Sequence, residues 1–236
     1  MARTVAISRY PSLGETGDGW VTVGVDVIRA TTTAVTAVAA GRRCFPVASL
    51  EEAVPLAARL KDPLLVGELG GNKPYGFHLQ NSPAEMSRPT ELARPVILLS
   101  TSGTEMMRTA AAYGRTYVAC LRNVRAQCER LIAAHSQVVL LAGESRGEFR
   151  DEDRLCCARM AKLLIEAGYE PRDLFVQELV KRWGAEPDDV VLRGKSAEYL
   201  AATGQLHDLD FILAHVDDLD DVYELRNGEL AASAAP

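Results

Sequence analysis

The chain has no apolar run approaching the roughly 20 residues needed to cross a bilayer. It also has no segment that reads as an export signal. No CxxC pair occurs, and the five cysteines (Cys44, Cys120, Cys128, Cys156, Cys157) show neither metal nor redox spacing. An odd number of cysteines without an export signal suits a reducing cytoplasm, so the expectation is a cytoplasmic protein with buried thiols and no membrane partner. His78, His135, His207 and His215 form no HxH or HxxxH pair. Positive charge is short as well. A net charge of −6 argues against broad nucleic-acid binding, although a few arginines can dominate one cleft. The loop "STSGT" at 100–104 lacks the lysine of a P-loop, which excludes nucleoside triphosphate binding of that kind there.

What the chain does have is alternation. Strands are expected at 4–8, 21–27, 43–47, 63–67, 95–100, 116–120 and 137–142, with β-branched and leucine-rich content suited to burial on both faces. Helical patterns lie between them, at 31–40, 50–60, 103–113, 122–134 and 151–167. This order predicts an α/β fold with a largely parallel sheet flanked by helices. "SLEE" at 49–52 reads as a capping box, and Gly41, Gly114 and Gly168 stand where helix-terminating glycines do. Pro55 weakens the second helix. Residues 68–94 form a long Gly-, Pro- and Asn-rich connection, a kind that is usually functional or mobile. Beyond about 169 the pattern becomes helical and acidic, and the tail "AASAAP" is expected to fray. No repeat or linker divides the chain, so residues 1–236 are expected to form one domain. Trp20 and Trp183 read as packing residues.

Four strands end in similar polar groups: Asp26 with Arg29 and Thr31–Thr32–Thr33; Glu68; Thr101–Ser102–Gly103–Thr104; and Gly143–Glu144. Ligands in open parallel sheets bind outside the carboxyl ends of strands, so parallel strands would bring these clusters to one edge. Each cluster also has a plainer reading. Asp26 and the threonines suit a helix start, as does "TSGT", although free amides at a helix N-terminus also seat anions. Asp151, Glu152 and Asp153 favour a helix macrodipole or ligate a hard cation. Taken together, Asp26, Glu68, Glu144, Glu152 and Asp153 crowd carboxylates that a divalent cation and Arg29 would relieve. Arg29 can fork onto a phosphate or sulfonate. The composite is a site for a small, multiply anionic ligand with Mg²⁺.

"VDVIRATTT" (25–33), "GE" (67–68), "GFHLQNSP" (76–83), "STSGT" (100–104), "GESRGEFRDEDRLCC" (143–157) and "SAEYLAATGQLHDLDFILAHVDDLDDVYEL" (196–225) together resemble the 2-phosphosulfolactate phosphatase family. The resemblance implies Mg²⁺-dependent hydrolysis of 2-phosphosulfolactate to 3-sulfolactate and phosphate, a step of coenzyme M biosynthesis, in a homodimer or higher homo-oligomer. His78 and Gln80 stand where that family usually shows Asp and Gly, and Ser102 where it shows Asn. On this reading Asp26, Arg29, Glu144 and Asp153 are catalytic. Asp26, Glu68, Glu144, Glu152 and Asp153 hold metal. Thr31, Thr32, Thr33, Asn81, Ser82, Ser102, Gly103 and Thr104 bind substrate. Asp26 is then a metal ligand, a base or a nucleophile, with water preferred as the attacking group. Rival readings are a hydrolase or lyase for another anionic organophosphate or phosphonate, and a non-catalytic anion binder.

Overall fold

A computed structural model describes residues 2–14, 19–145 and 147–234. Its elements in chain order are β1 (Thr4–Arg9), β2 (Trp20–Val25), α1 (Ala30–Ala39), β3 (Cys44–Val47), α2 (Leu50–Arg59), β4 (Leu64–Gly67), α3 (Pro83–Met86), β5 (Val96–Leu99), α4 (Gly103–Tyr113), β6 (Thr116–Ala119) and α5 (Val124–Ala134). There follow β7 (Gln137–Ala142), β8 (Glu144–Ser145), β9 (Glu148–Phe149), α6 (Asp151–Glu166), β10 (Glu170–Pro171), α7 (Leu174–Trp183), α8 (Lys195–Ala202), α9 (Leu206–Ala214), β11 (Asp221–Arg226) and β12 (Glu229–Ala234).

Among the described residues ten strands form one sheet in the order β10-β1-β7-β2-β6-β11-β12-β3-β5-β4. It contains two parallel blocks. In the first, β10, β1, β7, β2 and β6 run together; in the second, β3, β5 and β4 do. The hairpin β11–β12 joins them through three successive antiparallel pairings, so the blocks run in opposite local senses. A single parallel edge therefore does not explain how the polar strand ends meet.

The core explains it. Alternate residues of the first block face opposite sides: Tyr117, Ala119 and Leu140 join the cluster under α5, α6 and α7, whereas Val118 and Leu141 join the cluster around α1 and α4. That second cluster also takes Leu64, Val66, Val96 and Leu98 from the other block. The sheet thus wraps α1 and α4. A twist of roughly 20–25° per strand pair accumulates over the steps from β2 to β5. It turns the carboxyl ends of β4 and β5 back toward those of β2 and β7.

The helix boundaries follow local chemistry. Ser49 accepts from the Glu52 amide at 3.4 Å, while Glu52 reaches back to the Ala48 amide at 3.0 Å. Gly41 and Gly168 adopt φ of 89° and 91°, as left-handed helix ends do. Gly114 follows α4 in an extended conformation instead (φ 160°). Pro55 is accommodated inside α2. All five cysteines are free and buried, and burial pushes the Cys44 thiol up to about 12. Trp183 is buried.

The tail is a correction. Residues 229–234 do not fray but pair along the whole length of β11, and β11 sits in the middle of the sheet with four consecutive buried residues, Val222–Leu225. Residues 235 and 236 lie outside the described residues. No helix among the described residues is long and apolar enough to cross a membrane.

Candidate active site

The strand ends line one cavity of about 710 Å³. β2 delivers Asp26, Ile28 and Arg29; β4 delivers Glu68; β5 delivers Thr101 and Ser102; β7 delivers Gly143 and Glu144; and the start of α6 delivers Asp153. The long connection contributes Gly70, Gly71 and Asn81, and α8 forms the facing wall with Lys195, Ser196 and Tyr199.

Asp26 is buried and spends Oδ1 on the Ala30 amide at 3.2 Å. Its Oδ2 lies against Gly103 and Gly143, where added Cβ atoms would stand 2.1 and 3.3 Å away. Burial raises the Asp26 carboxyl to about 7; the Ala30 amide and Arg29 oppose the rise, and the Glu68 and Glu152 charges add to it. Asp153 accepts from the Val27 amide at 2.7 Å. Burial, then Glu152 and Asp26, raise it well above the usual carboxylate range. Buried carboxyls that raise one another in this way favour the protonated form unless a cation compensates them.

Arg29 is buried and held through Nη1 by Asp208 Oδ2 and Gln205 Oε1, each at 2.6 Å. Asp208 is fully buried and accepts from Ser82 Oγ at 2.6 Å and the Ala84 amide at 3.2 Å. One carboxylate therefore ties the β2–α1 turn to α3 and α9. The guanidinium keeps its other N–H groups for the cavity it lines.

Glu68 organises the neighbouring loop. It accepts from the Thr101 amide and hydroxyl at 2.7 and 2.8 Å and from the Gly71 amide at 2.7 Å. Tyr199 Oη donates to Gly71 O at 2.6 Å, which pins the same loop to α8. Asn81 is buried on the cavity wall, and its Oδ1 has no partner among the described residues.

A family model described as 2-phosphosulpholactate phosphatase matches residues 9–228. The chain belongs to the 2-phosphosulfolactate phosphatase family. Relatives named probable 2-phosphosulfolactate phosphatase include that of Carboxydothermus hydrogenoformans, 30% identical over 96% of this chain and 95% of its own. That of Symbiobacterium thermophilum is 32% identical over 82% and 86%. That of Pseudothermotoga lettingae is 34% identical over 81% and 83%.

Set beside the family reading, several expected substrate ligands have other work. Thr31 Oγ1 donates to Asp26 O at 2.8 Å and accepts from the Asp26 amide at 2.9 Å; Thr32 Oγ1 donates to Val27 O at 2.7 Å. Thr33 is buried away from the cavity lining. Thr104 closes onto Ser100 through three hydrogen bonds. Thr31, Thr32 and Thr104 hold the turns that carry Asp26 and Ser102, Thr33 Oγ1 is buried without a partner among the described residues, and none of the four lines the cavity. Ser82 caps α3 and binds Asp208. His78 accepts from the Leu65 amide at 2.9 Å and is not part of the cavity wall. Asp208, Gln205, Lys195 and Tyr199 are not legible in the sequence, because each acts through a partner distant in the chain; Arg150 pairs with Glu148 two residues away, and nothing in the local sequence marks it as lining the cavity.

Mg²⁺ is the cofactor the family resemblance implies. Among the described residues no three His, Cys, Asp or Glu side chains converge into a metal cage, so Asp26, Glu68, Glu144, Glu152 and Asp153 are not one five-ligand cluster. Glu68 is occupied by the loop, and Glu144 pairs with Arg9 at 3.3 Å. Glu152 is buried beside Asp153 and outside the cavity lining. Mg²⁺ needs less than a cage, since it keeps several waters and takes one or two carboxylates plus substrate phosphate oxygens. Asp26 and Asp153 fit that requirement, each with one oxygen committed to a backbone amide and a charged form that burial penalises and a bound cation would favour.

Gly103 is where the two blocks touch. A Cβ there would stand 2.1 Å from Asp26 Oδ2 and 2.5 Å from the Ala30 Cβ. Gly103→Ala is expected to cost about 1–3 kcal/mol through overpacking, read as a lower midpoint in urea. It should also cut phosphate release more than tenfold by displacing Asp26. Wild-type values for both would show that the contact relaxes freely.

Proposed function

We propose that the chain is a Mg²⁺-dependent phosphatase that hydrolyses 2-phosphosulfolactate to 3-sulfolactate and phosphate. The observation that carries this reading is the Asp26–Asp153 pair beside Arg29 and the start of α4, all on one cavity. The family membership and the names of the relatives support the choice of substrate.

Asp26 and Asp153 would hold the ion, which when bound supplies positive charge against the phosphate oxygens. Arg29, aimed by Asp208, binds the equatorial oxygens from one side. From the other side act the first amides of α4, where Ser102 makes no side-chain cap. Water attacks phosphorus and Glu144 on the cavity wall takes its proton, while the ester P–O bond breaks and the departing oxygen takes a proton from solvent to become the hydroxyl of 3-sulfolactate. Asn81, with an unspent buried acceptor, orients the substrate through a bound water.

The test is phosphate release from 2-phosphosulfolactate with Mg²⁺ and after chelation. Release that needs the metal is expected. No release at any Mg²⁺ concentration rejects the substrate, and undiminished release in chelator rejects the metal.

A further inference from the structure

A second cavity of about 340 Å³ adjoins the first and shares Glu148, Arg150 and Lys195 with it. Arg9 and Arg154 also line it, with Asp151 as the other acid. Four cationic side chains against two acidic ones is an unusual gathering in a chain whose net charge is −6. At the shared wall the Glu148 carboxylate lies between two cations: Lys195 Nζ binds Oε1, and Arg150 Nη1 binds Oε2 at 2.8 Å. Neither Lys195 nor Glu148 is buried, the two side chains being 64% and 46% exposed. The chain's own acid thus sits in a two-point cationic clamp from which water and a competing anion can displace it.

2-Phosphosulfolactate carries three acid groups, and the phosphate site accounts for one. We propose that Lys195 and Arg150 bind the substrate's sulfonate, the acid group reaching furthest from phosphorus, by displacing Glu148. The clamp then sets the preference for phosphate esters that carry a second strong acid. Lys195 lies on the first turn of α8, whose Tyr199 already ties α8 to the Gly71 loop. This inference rests on the phosphatase reading.

The experiment compares kcat/KM for 2-phosphosulfolactate and for 2-phospholactate, which keeps the phosphate and carboxylate but lacks the sulfonate. Lys195→Met should lower the ratio between them about 10- to 100-fold, the size of a lost charge-assisted hydrogen bond. The loss should appear mainly in KM. Glu148→Gln should lower KM for 2-phosphosulfolactate several-fold, because the clamp loses its internal competitor. A ratio unchanged in Lys195→Met overturns the clamp, and a higher KM in Glu148→Gln overturns displacement. If the wild-type protein releases phosphate from neither ester, the phosphatase reading fails by itself. Calorimetry with 3-sulfolactate then still decides the clamp: at least tenfold weaker binding to Lys195→Met supports it, and equal binding rejects it.

Discussion

Asp26→Asn is expected to abolish phosphate release, by a factor of 10³ or more, while making the metal-free protein more stable at neutral pH. The two effects share one cause. Asp26 has a native pKa of about 7 against an ordinary aspartate value of 3.8, because burial penalises its charged form. Between those values the native state binds the proton more tightly than the unfolded chain does. Stability is therefore full below pH 4 and falls as pH rises through 7. Asparagine keeps the acceptor for the Ala30 amide and removes the charge.

A tenfold difference in proton affinity between the folded and unfolded chain is worth about 1.4 kcal/mol, so the gain above pH 7 is on the order of a few kcal/mol. It should vanish near pH 4. Urea denaturation in chelator at pH 4, 6 and 8 measures it. A variant less stable than wild type at pH 8 would show that Asp26 is a favourable cap and not a charge held under penalty. Added Mg²⁺ should reverse the order, because it stabilises the wild-type site and finds one carboxylate fewer in the variant.

The parts of this site legible in the sequence were those that end strands. Asp26, Glu68, Ser102 and Glu144 each follow an apolar run, and a strand end has a fixed place in an α/β fold. Thr31, Thr32 and Thr104 share those locations but do not line the cavity. A hydroxyl near a helix start finds a main-chain partner within five residues, and only coordinates show that the partner has been taken. The hairpin of β11 and β12 escaped for a different reason. "DVYELR" does not alternate strictly, since Val222 and Tyr223 are adjacent, and it runs on from the acidic stretch "DDLDD"; "ELAASA" carries no β-branched residue. Its place in the sheet depends on β6 and β3, which lie far away in sequence.

Asp208 was least legible of all, since a carboxylate in "HDLD" reads as one more charge on an acidic helix. Its burial makes the second large prediction. Arg29 and Asp208 have side chains only 4% and 0% exposed. Asp208→Ala strands the guanidinium without its ion-pair partner and leaves Ser82 Oγ and the Ala84 amide without their acceptor. The expected loss is about 3–5 kcal/mol, with phosphate release falling at least a hundredfold in whatever remains folded, because Arg29 is no longer aimed. The double variant Arg29→Met/Asp208→Ala separates charge from packing. It should be more stable than Asp208→Ala alone, since the stranded charge is gone, yet equally inactive, since the phosphate has lost its guanidinium. If the double variant is instead less stable than the single one, Gln205 alone suffices to hold Arg29, and Asp208 belongs to the packing of α3 against α9 more than to the electrostatics of the site.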